Sequence, residues 1–474
     1  MIFASYEFVY LFLPIVLIGY FLLNKLKNPM WQHLLLVAAS FYFYGYFNPS
    51  YLIIIFSSII INYVLGLLLS KKQNKLLLFL GIIFNIGLLI YFKYTDFFIS
   101  NFNVIAGTNF RLLKILLPLG ISFFTFQQFS FLISVYQKEE KVSSFLEYSL
   151  FVTFFPQLVA GPIVLYSEMM PQFLEKQRRY FNLQNFVSGI YIFALGLSKK
   201  IIIADTLSLI VDNGYGLTEN INFISAWLIT LSYTFQIYFD FSGYCDMAIG
   251  IGKMFNIDLP LNFNSPYKSK NITEFWKRWH MTLGRALATY VYIPLGGNRK
   301  GKSRTYINLM LTFLASGFWH GASWSFIIWG VMHGIFSVAD RVFKNVQTKI
   351  PDWIRIGSTF LLVNFLWVFF RAENLEKVIK IFKGIINIRS IFAYSQALQL
   401  LSKGIETFNH PHFNIIMLFL MIVFCLYLVF FCKNTVEKAE NVRFDMKNAI
   451  YIGILFFAAT VCMWRVSPFI YFNF

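Results

Sequence analysis

Charge is scarce in this 474-residue sequence: Asp, Glu, Lys and Arg make up 13% of it, about half of the roughly 25% usual for globular domains. With 58% hydrophobic and 20% aromatic residues beside it, that scarcity excludes a soluble protein and makes a bilayer the solvent of the chain. Cysteine is sparse too. Cys245, Cys425, Cys432 and Cys462 lie in or beside apolar segments, with no CxxC and no Cys/His spacing, so neither a disulfide framework nor a metal site is expected. Also missing are internal repeats, low-complexity tracts and any loop long enough to fold as a separate soluble domain. A single membrane-embedded domain over residues 1–474 is therefore expected, with its core motifs at about 150–340. The first apolar segment, Glu7 to Leu23, has no basic stretch before it and no small-residue cleavage site after it, and reads as a retained span.

What is present is a series of apolar runs, each long enough or nearly so to cross roughly 30 Å of hydrocarbon as a helix. They fall at Glu7 to Leu23, His33 to Phe47, Tyr51 to Leu69, Leu76 to Tyr94, Ile115 to Tyr136, Phe186 to Ala204 and Phe223 to Phe241. Further runs are Tyr306 to Trp319, Trp324 to Arg341, Ile356 to Phe370, Phe413 to Phe431 and Ala449 to Trp464, giving about twelve crossings of an all-α, multi-pass protein. The 58 Phe residues are spread evenly along these runs, as lipid-facing and core packing require. The net charge of +18 could suggest nucleic acid, but placement decides otherwise. Basic residues cluster in short loops after alternate spans, among them Lys71/Lys72/Lys75, Arg178/Arg179, Arg341/Lys344 and Lys433 to Lys447. Positive-inside orientation accounts for that pattern and puts both termini outside, so no nucleic-acid partner is expected. Phe151 to Val164, with Pro156, Gly161 and Pro162, is too short and broken to span yet too apolar for an open loop, and reads as a segment that dips in and returns. Asn374 to Ile386 alternates apolar and charged residues at helical spacing, as an amphipathic helix on the membrane surface does.

Polar residues crowd between Asp240 and Arg304, among spans otherwise almost free of charge, and intramembrane ionisable groups are functional candidates by default. Asn271 with Glu274 three residues on predicts a capped helix running through Phe275, Trp276, Trp279 and Leu283, with His280 on its border. A lone membrane histidine is more often a packed hydrogen-bonding residue than a catalyst, and that reading stands beside the functional one. His320 closes a span in Phe318-Trp319-His320-Gly321. Imidazole in a partly dry pocket is a base suited to taking the proton of a hydroxyl near neutral pH, and Gly317 and Gly321 would let substrate or backbone approach closely. Gly296 to Ser303 matches GxxxxGK[ST] literally, but a phosphate loop needs a strand before it and an α/β domain around it, which this region lacks. Arg299, Lys300, Lys302 and Arg304 in that loop have two readings, attraction of an acyl donor's phosphates or a plain positive-inside anchor. Asp240, Asp246, Gln236 and Asn264 read as structural hydrogen-bonding partners.

The stretches FFPQLVAGPI (Phe154 to Ile163), QIYFDFSGYCDMAIG (Gln236 to Gly250), LNFNSPY (Leu261 to Tyr267), EFWKRWHMTL (Glu274 to Leu283), YIPLGGNR (Tyr292 to Arg299) and FWHGASW (Phe318 to Trp324) resemble the membrane-bound O-acyltransferases. Within that family they look most like the bacterial branch of alginate O-acetylation and related cell-wall polysaccharide acetylation. The likeness covers nearly the whole chain, including the WGVMHG segment around His333 and the closing FIYFNF. It implies a ring of tilted transmembrane helices with re-entrant segments around a central tunnel, where a cytoplasmic thioester meets an outer acceptor. It implies that His320 stands where the family has its catalytic histidine and His280 where it has a second active-site polar residue, which orients or polarises a reactant. It implies acetyl-CoA as donor substrate with no bound cofactor, an exported polysaccharide as acceptor, an extracytoplasmic SGNH-hydrolase-like partner, and a multi-pass location in the bacterial inner membrane.

One departure stands out: where the family has an Arg-Asp pair before YIPLGGNR, this chain has Ala288 and Thr289, with Arg285 one helical turn away. D-alanyl transfer to teichoic acid from a carrier protein is the neighbouring alternative, against which YIPLGGNR and FIYFNF look more like the alginate branch. A transporter would line a path with the same histidines and broken helices, but would more typically show two related halves, and none is seen. A noncatalytic scaffold would be indifferent to His320. The catalytic reading further expects His320 to be reached from outside through a polar channel and the Asn298 to Arg304 loop to be cytoplasmic.

Overall fold

The computed structural model describes residues 1–26, 28–217, 220–347, 349–392, 411–440, 445–465 and 467–473, and no strand occurs among them. The protein is all-α. Five helical runs are long and apolar enough to cross a bilayer: Phe8–Leu26, Ser50–Lys71, Lys75–Ala106, Leu183–Gly216 and Asp352–Arg371. Shorter apolar helices cover Ile121–Tyr136, Ile416–Phe431 and Met446–Cys462. Most spans read from the sequence are present with shifted ends. The run expected to stop at Tyr94 continues to Ala106, and the one expected from Ile115 starts at Ile121, after Gly120 in a left-handed conformation. Part of the basic stretch Lys433 to Lys447 (441–444), and Phe474 at the end of FIYFNF, lie outside the described residues.

The chain divides into two compact units, each assembled from separate stretches of sequence. The first comprises Met1–Leu197, Tyr244–Leu261 and Val442–Met463. Inside it the Ile121–Tyr136 helix packs against two neighbours at glycines, since a Cβ on Gly66 would meet the Phe131 ring at 2.7 Å and one on Gly81 would meet Leu132 at 2.6 Å. The buried amides of Asn62 and Asn85 exchange hydrogen bonds of 3.2 and 2.7 Å, which satisfies polar groups that hydrocarbon would leave unpaired.

The segment read as dipping in and returning is broken backbone buried in protein. The Phe145–Thr153 helix stops at Phe154, one turn follows at Phe155–Leu158, and residues 148–164 are all buried. Freed groups find partners: Phe155 N–H donates to Ser40 Oγ at 3.1 Å and Gln157 Nε2 to the Phe151 carbonyl at 2.8 Å. Gly120, at φ +67°, lies so close to this segment that a Cβ would meet the Leu158 carbonyl oxygen at 2.7 Å. Non-helical chain at depth survives only where protein or a cavity supplies such partners.

The second unit comprises Ser198–Gly243, Asn262–Asn441 and Trp464–Phe474. The Leu375–Ile386 helix forms as its periodicity predicts, capped by Asn374, whose side chain accepts from Lys377 N–H at 3.0 Å. Its Val378, Ile381 and Ile385 are buried while Leu375, Ile379 and Ile386 are exposed, so its apolar face is wider than the protein covers. Both histidines singled out in the sequence belong to this unit.

Candidate active site

The site rests on a helical hairpin, Lys302–His320 followed by Trp324–Val342. Glycine sets its closeness: a Cβ on Gly317 would meet the Phe326 carbonyl oxygen at 2.5 Å, and one on Gly330 the Phe313 carbonyl oxygen at 2.5 Å. Small residues at such crossings let membrane helices touch backbone to backbone. The first helix ends at His320, and Ser323 opens the second by accepting from Phe326 N–H. His320 thus lies at the tip of a tight hairpin and is 2% exposed.

Its Nδ1 sits 2.7 Å from the carbonyl oxygen of Ser316. A carbonyl can only accept, so Nδ1 carries the proton and Nε2 is left with the lone pair. Around the ring stand Trp319, Trp329 and Phe370, with centroids 4.9, 5.0 and 5.3 Å away.

His280 is held differently from the sequence-based expectation. The capped helix stops at Arg278, and a second one begins at Met281. Between them His280 takes a left-handed conformation, φ +46°, and is not on a continuous helix. The cause is tertiary pairing. Asn264 N–H donates to the Arg278 carbonyl at 2.9 Å and Met281 N–H to the Asn262 carbonyl at 3.0 Å, which ties the LNFNSPY stretch to the EFWKRWHMTL stretch and turns the chain. Asn262 Oδ1 accepts from Thr282 N–H and Oγ1 at 3.2 and 2.9 Å and faces His280 Nδ1 at 3.2 Å. That oxygen again fixes the proton on Nδ1, and His280 Nε2, fully buried, has no hydrogen-bond partner among the described residues. The two rings lie 6.5 Å apart, centroid to centroid.

Residues missed by sequence reasoning complete the surroundings. Tyr471, noted only as part of the closing FIYFNF, lies 6.0 Å from His320, 6.2 Å from His280 and 4.1 Å from Phe241, ring to ring. His333 accepts at Nδ1 from Trp276 Nε1–H at 3.2 Å, so its proton is on Nε2, the opposite tautomer to the other two. No spacing rule links Asn262, His333 or Tyr471 to the histidine pair, and only fold places them there.

Both rings are buried, His280 being 1% and His320 2% exposed. A cavity of 370 Å³ does run close by. It is lined by Ser316, whose carbonyl holds His320, by Trp276, Phe313 and Tyr292, and by the cations Lys277, Arg285 and Arg341. Ala288, at the family departure, opens a π-helical turn (Ala288–Tyr292) and lines the same cavity beside Arg285. Arg299, Lys300, Lys302 and Arg304 are exposed, in the loop and at the start of the hairpin, and are not among the residues lining that cavity. That loop follows the π-helical turn and has no strand before it, so its phosphate-loop pattern lacks the setting such a loop requires.

The fold and site are thus those of an all-α membrane protein with two buried histidines side by side, one at a helix break and one at a helix tip. The chain belongs to the membrane-bound O-acyltransferase family, whose pattern matches residues 120–376, and it is accordingly a multi-pass membrane acyltransferase. It is 43% identical to a peptidoglycan O-acetyltransferase of Helicobacter pylori, over 100% of this chain and 98% of that protein. A probable alginate O-acetylase of Pseudomonas aeruginosa is 40% identical over 79% of this chain and 73% of its own length. A teichoic acid D-alanyltransferase of Streptococcus thermophilus is 27% identical over 57% and 69%.

Proposed function

We propose that this protein transfers an acetyl group from cytoplasmic acetyl-CoA to a hydroxyl of an exported cell-surface polysaccharide, in the bacterial inner membrane. The observation that carries the reading is His320 with its proton fixed on Nδ1 by Ser316, which leaves Nε2 as a base in a water-poor site. Nε2 takes the proton of the acceptor hydroxyl, the oxygen attacks the thioester carbonyl, the carbon–sulfur bond breaks, and the leaving thiolate takes the proton back from the imidazolium. His280, with its lone pair also on Nε2, orients a reactant by accepting a hydrogen bond from a second hydroxyl or an amide N–H. Polarising the carbonyl would require it to be protonated. The acetylating names of the relatives, and the end-to-end extent of the likeness to the peptidoglycan enzyme, support acetyl over D-alanyl, for which the likeness is weaker and shorter. Delivery through an extracytoplasmic SGNH-hydrolase-like partner is part of the same proposal, as is donor-phosphate attraction by Arg299, Lys300, Lys302 and Arg304.

His320→Ala tests it. Ester-linked acetate on the purified polymer should fall by about 100- to 10,000-fold, the range for loss of a general base, while the protein still inserts in the membrane at parental level. Undiminished acetate in that variant would rule the mechanism out, and loss of polymer D-alanine instead would select the alternative.

A further inference from the structure

Lys200, Asp205 and Asp240 form a buried knot of charge that the acyl-transfer chemistry does not use. Lys200 Nζ lies 2.7 Å from Asp205 Oδ1 and 2.7 Å from Asp240 Oδ1, and the three side chains are 5%, 3% and 1% exposed. Among the described residues one ammonium faces two carboxylates, and further donors make the cluster tolerable away from water. The segment near the end of the chain supplies them. Ser467 Oγ donates to Asp205 Oδ1 at 2.6 Å and receives from Lys200 Nζ at 3.2 Å, and Ile470 N–H donates to Asp240 Oδ2 at 2.8 Å.

The register of this contact reaches the histidines. Asp240 holds Ile470, and the next residue on each side, Phe241 and Tyr471, pack ring to ring at a tilt with centroids 4.1 Å apart. Phe241 stands edge-on to His280 at 4.8 Å, and Tyr471 faces both imidazoles. Residues 467–469 are non-helical and lead into a short 3-10 turn at Ile470–Asn473, so no helix ladder fixes the entry to this strap, and the side-chain partners on Asp205, Asp240 and Lys200 take that role.

We infer that the Lys200–Asp205–Asp240 cluster is a latch that seats the 467–471 strap against the His280–His320 pair, with Asp240 as a positioning residue for acyl transfer. The inference rests on the acetyl-transfer reading only for its effect on turnover. The full-length protein in nanodiscs tests both parts, by amide hydrogen exchange over 467–471 and by kcat and KM for acetyl-CoA. Asp240→Ala should raise exchange in the strap by about tenfold or more with the remaining helices unchanged, and lower kcat by about tenfold or more with KM within about twofold. Asp240→Asn keeps an oxygen for Ile470 N–H and should restore strap protection and most of kcat. Ser467→Ala, a mild change on the strap itself, should give an intermediate rise in exchange and serves where Asp240→Ala fails to insert. Unchanged strap exchange in Asp240→Ala and Ser467→Ala, a rise spread evenly over the protein, or equal loss of kcat in Asp240→Asn and Asp240→Ala would overturn the latch. A parent protein that transfers no acetyl would sink the functional reading, while the exchange measurements would still decide the latch.

Discussion

An imidazole can serve as a base only while its other nitrogen is kept protonated and its ring kept aimed, and two different devices, one backbone and one side chain, hold the rings here. For His320 the carbonyl of Ser316, one helical turn back, receives the Nδ1 proton. For His280 the receiver is a side chain, Asn262, which also holds Thr282. Replacing Asn262 with Leu should therefore free the His280 ring and strand the Thr282 N–H. We expect a stability loss of about 1–3 kcal/mol from the unpaired buried groups, seen as a lower melting temperature, and kcat reduced by roughly tenfold or more because a positioning shell has been removed. A variant with parental kcat would remove Asn262 from the account. Both histidines could be picked from the sequence because a titratable ring among apolar residues is conspicuous. Asn262 could not, because amides near membrane motifs are common and nothing in LNFNSPY distinguishes it from Asn264, whose Oδ1 accepts from Asn434 instead.

Helices are legible where a long apolar run or a single periodicity is unopposed, as in Ser50–Lys71 for the first and Leu375–Ile386 for the second. They were misread where tertiary pairing overrides that periodicity. Phe275, Trp276, Trp279 and Leu283 keep helical spacing across the break at His280, so the sequence suggests one helix, whereas the backbone bonds from 262–264 to 278–281 outweigh the cost of a left-handed histidine. The hairpin that carries His320 shows the converse. Its glycines were noted as allowing close approach, and Gly317 does so against the Phe326 carbonyl. Gly317→Ala puts a methyl where that oxygen lies and must push the two helices apart or shift Ser316. We expect about 1–3 kcal/mol of destabilisation from overpacking, together with lost turnover, since the His320 anchor sits on the adjacent residue. Thermal unfolding in detergent and single-turnover rates measure the two separately, and an alanine variant equal to the parent in both would contradict the contact.

At the scale of the whole molecule, the alternation of basic loops in the sequence predicts the orientation. Ser303, exposed in the first turn of the hairpin's opening helix, should be cytoplasmic. With the four native cysteines replaced, Ser303→Cys should react with a membrane-impermeant maleimide only in inverted vesicles or after permeabilisation, and labelling of intact spheroplasts would reverse the topology. The multi-pass all-α class was readable from composition and apolar run length alone. What could not be read was how residues 241, 262, 280, 320 and 471 come to share one neighbourhood, because contacts between residues so far apart in sequence leave no periodic trace. Their packing has one more outcome. On the acyl-transfer reading proposed above, the burial of both rings, 1% and 2% exposed, would limit the water beside the thioester and so disfavour spending acetyl groups on free acetate. On that reading, the burial of the pair is what would keep an expensive metabolite from leaking away whenever no acceptor is waiting.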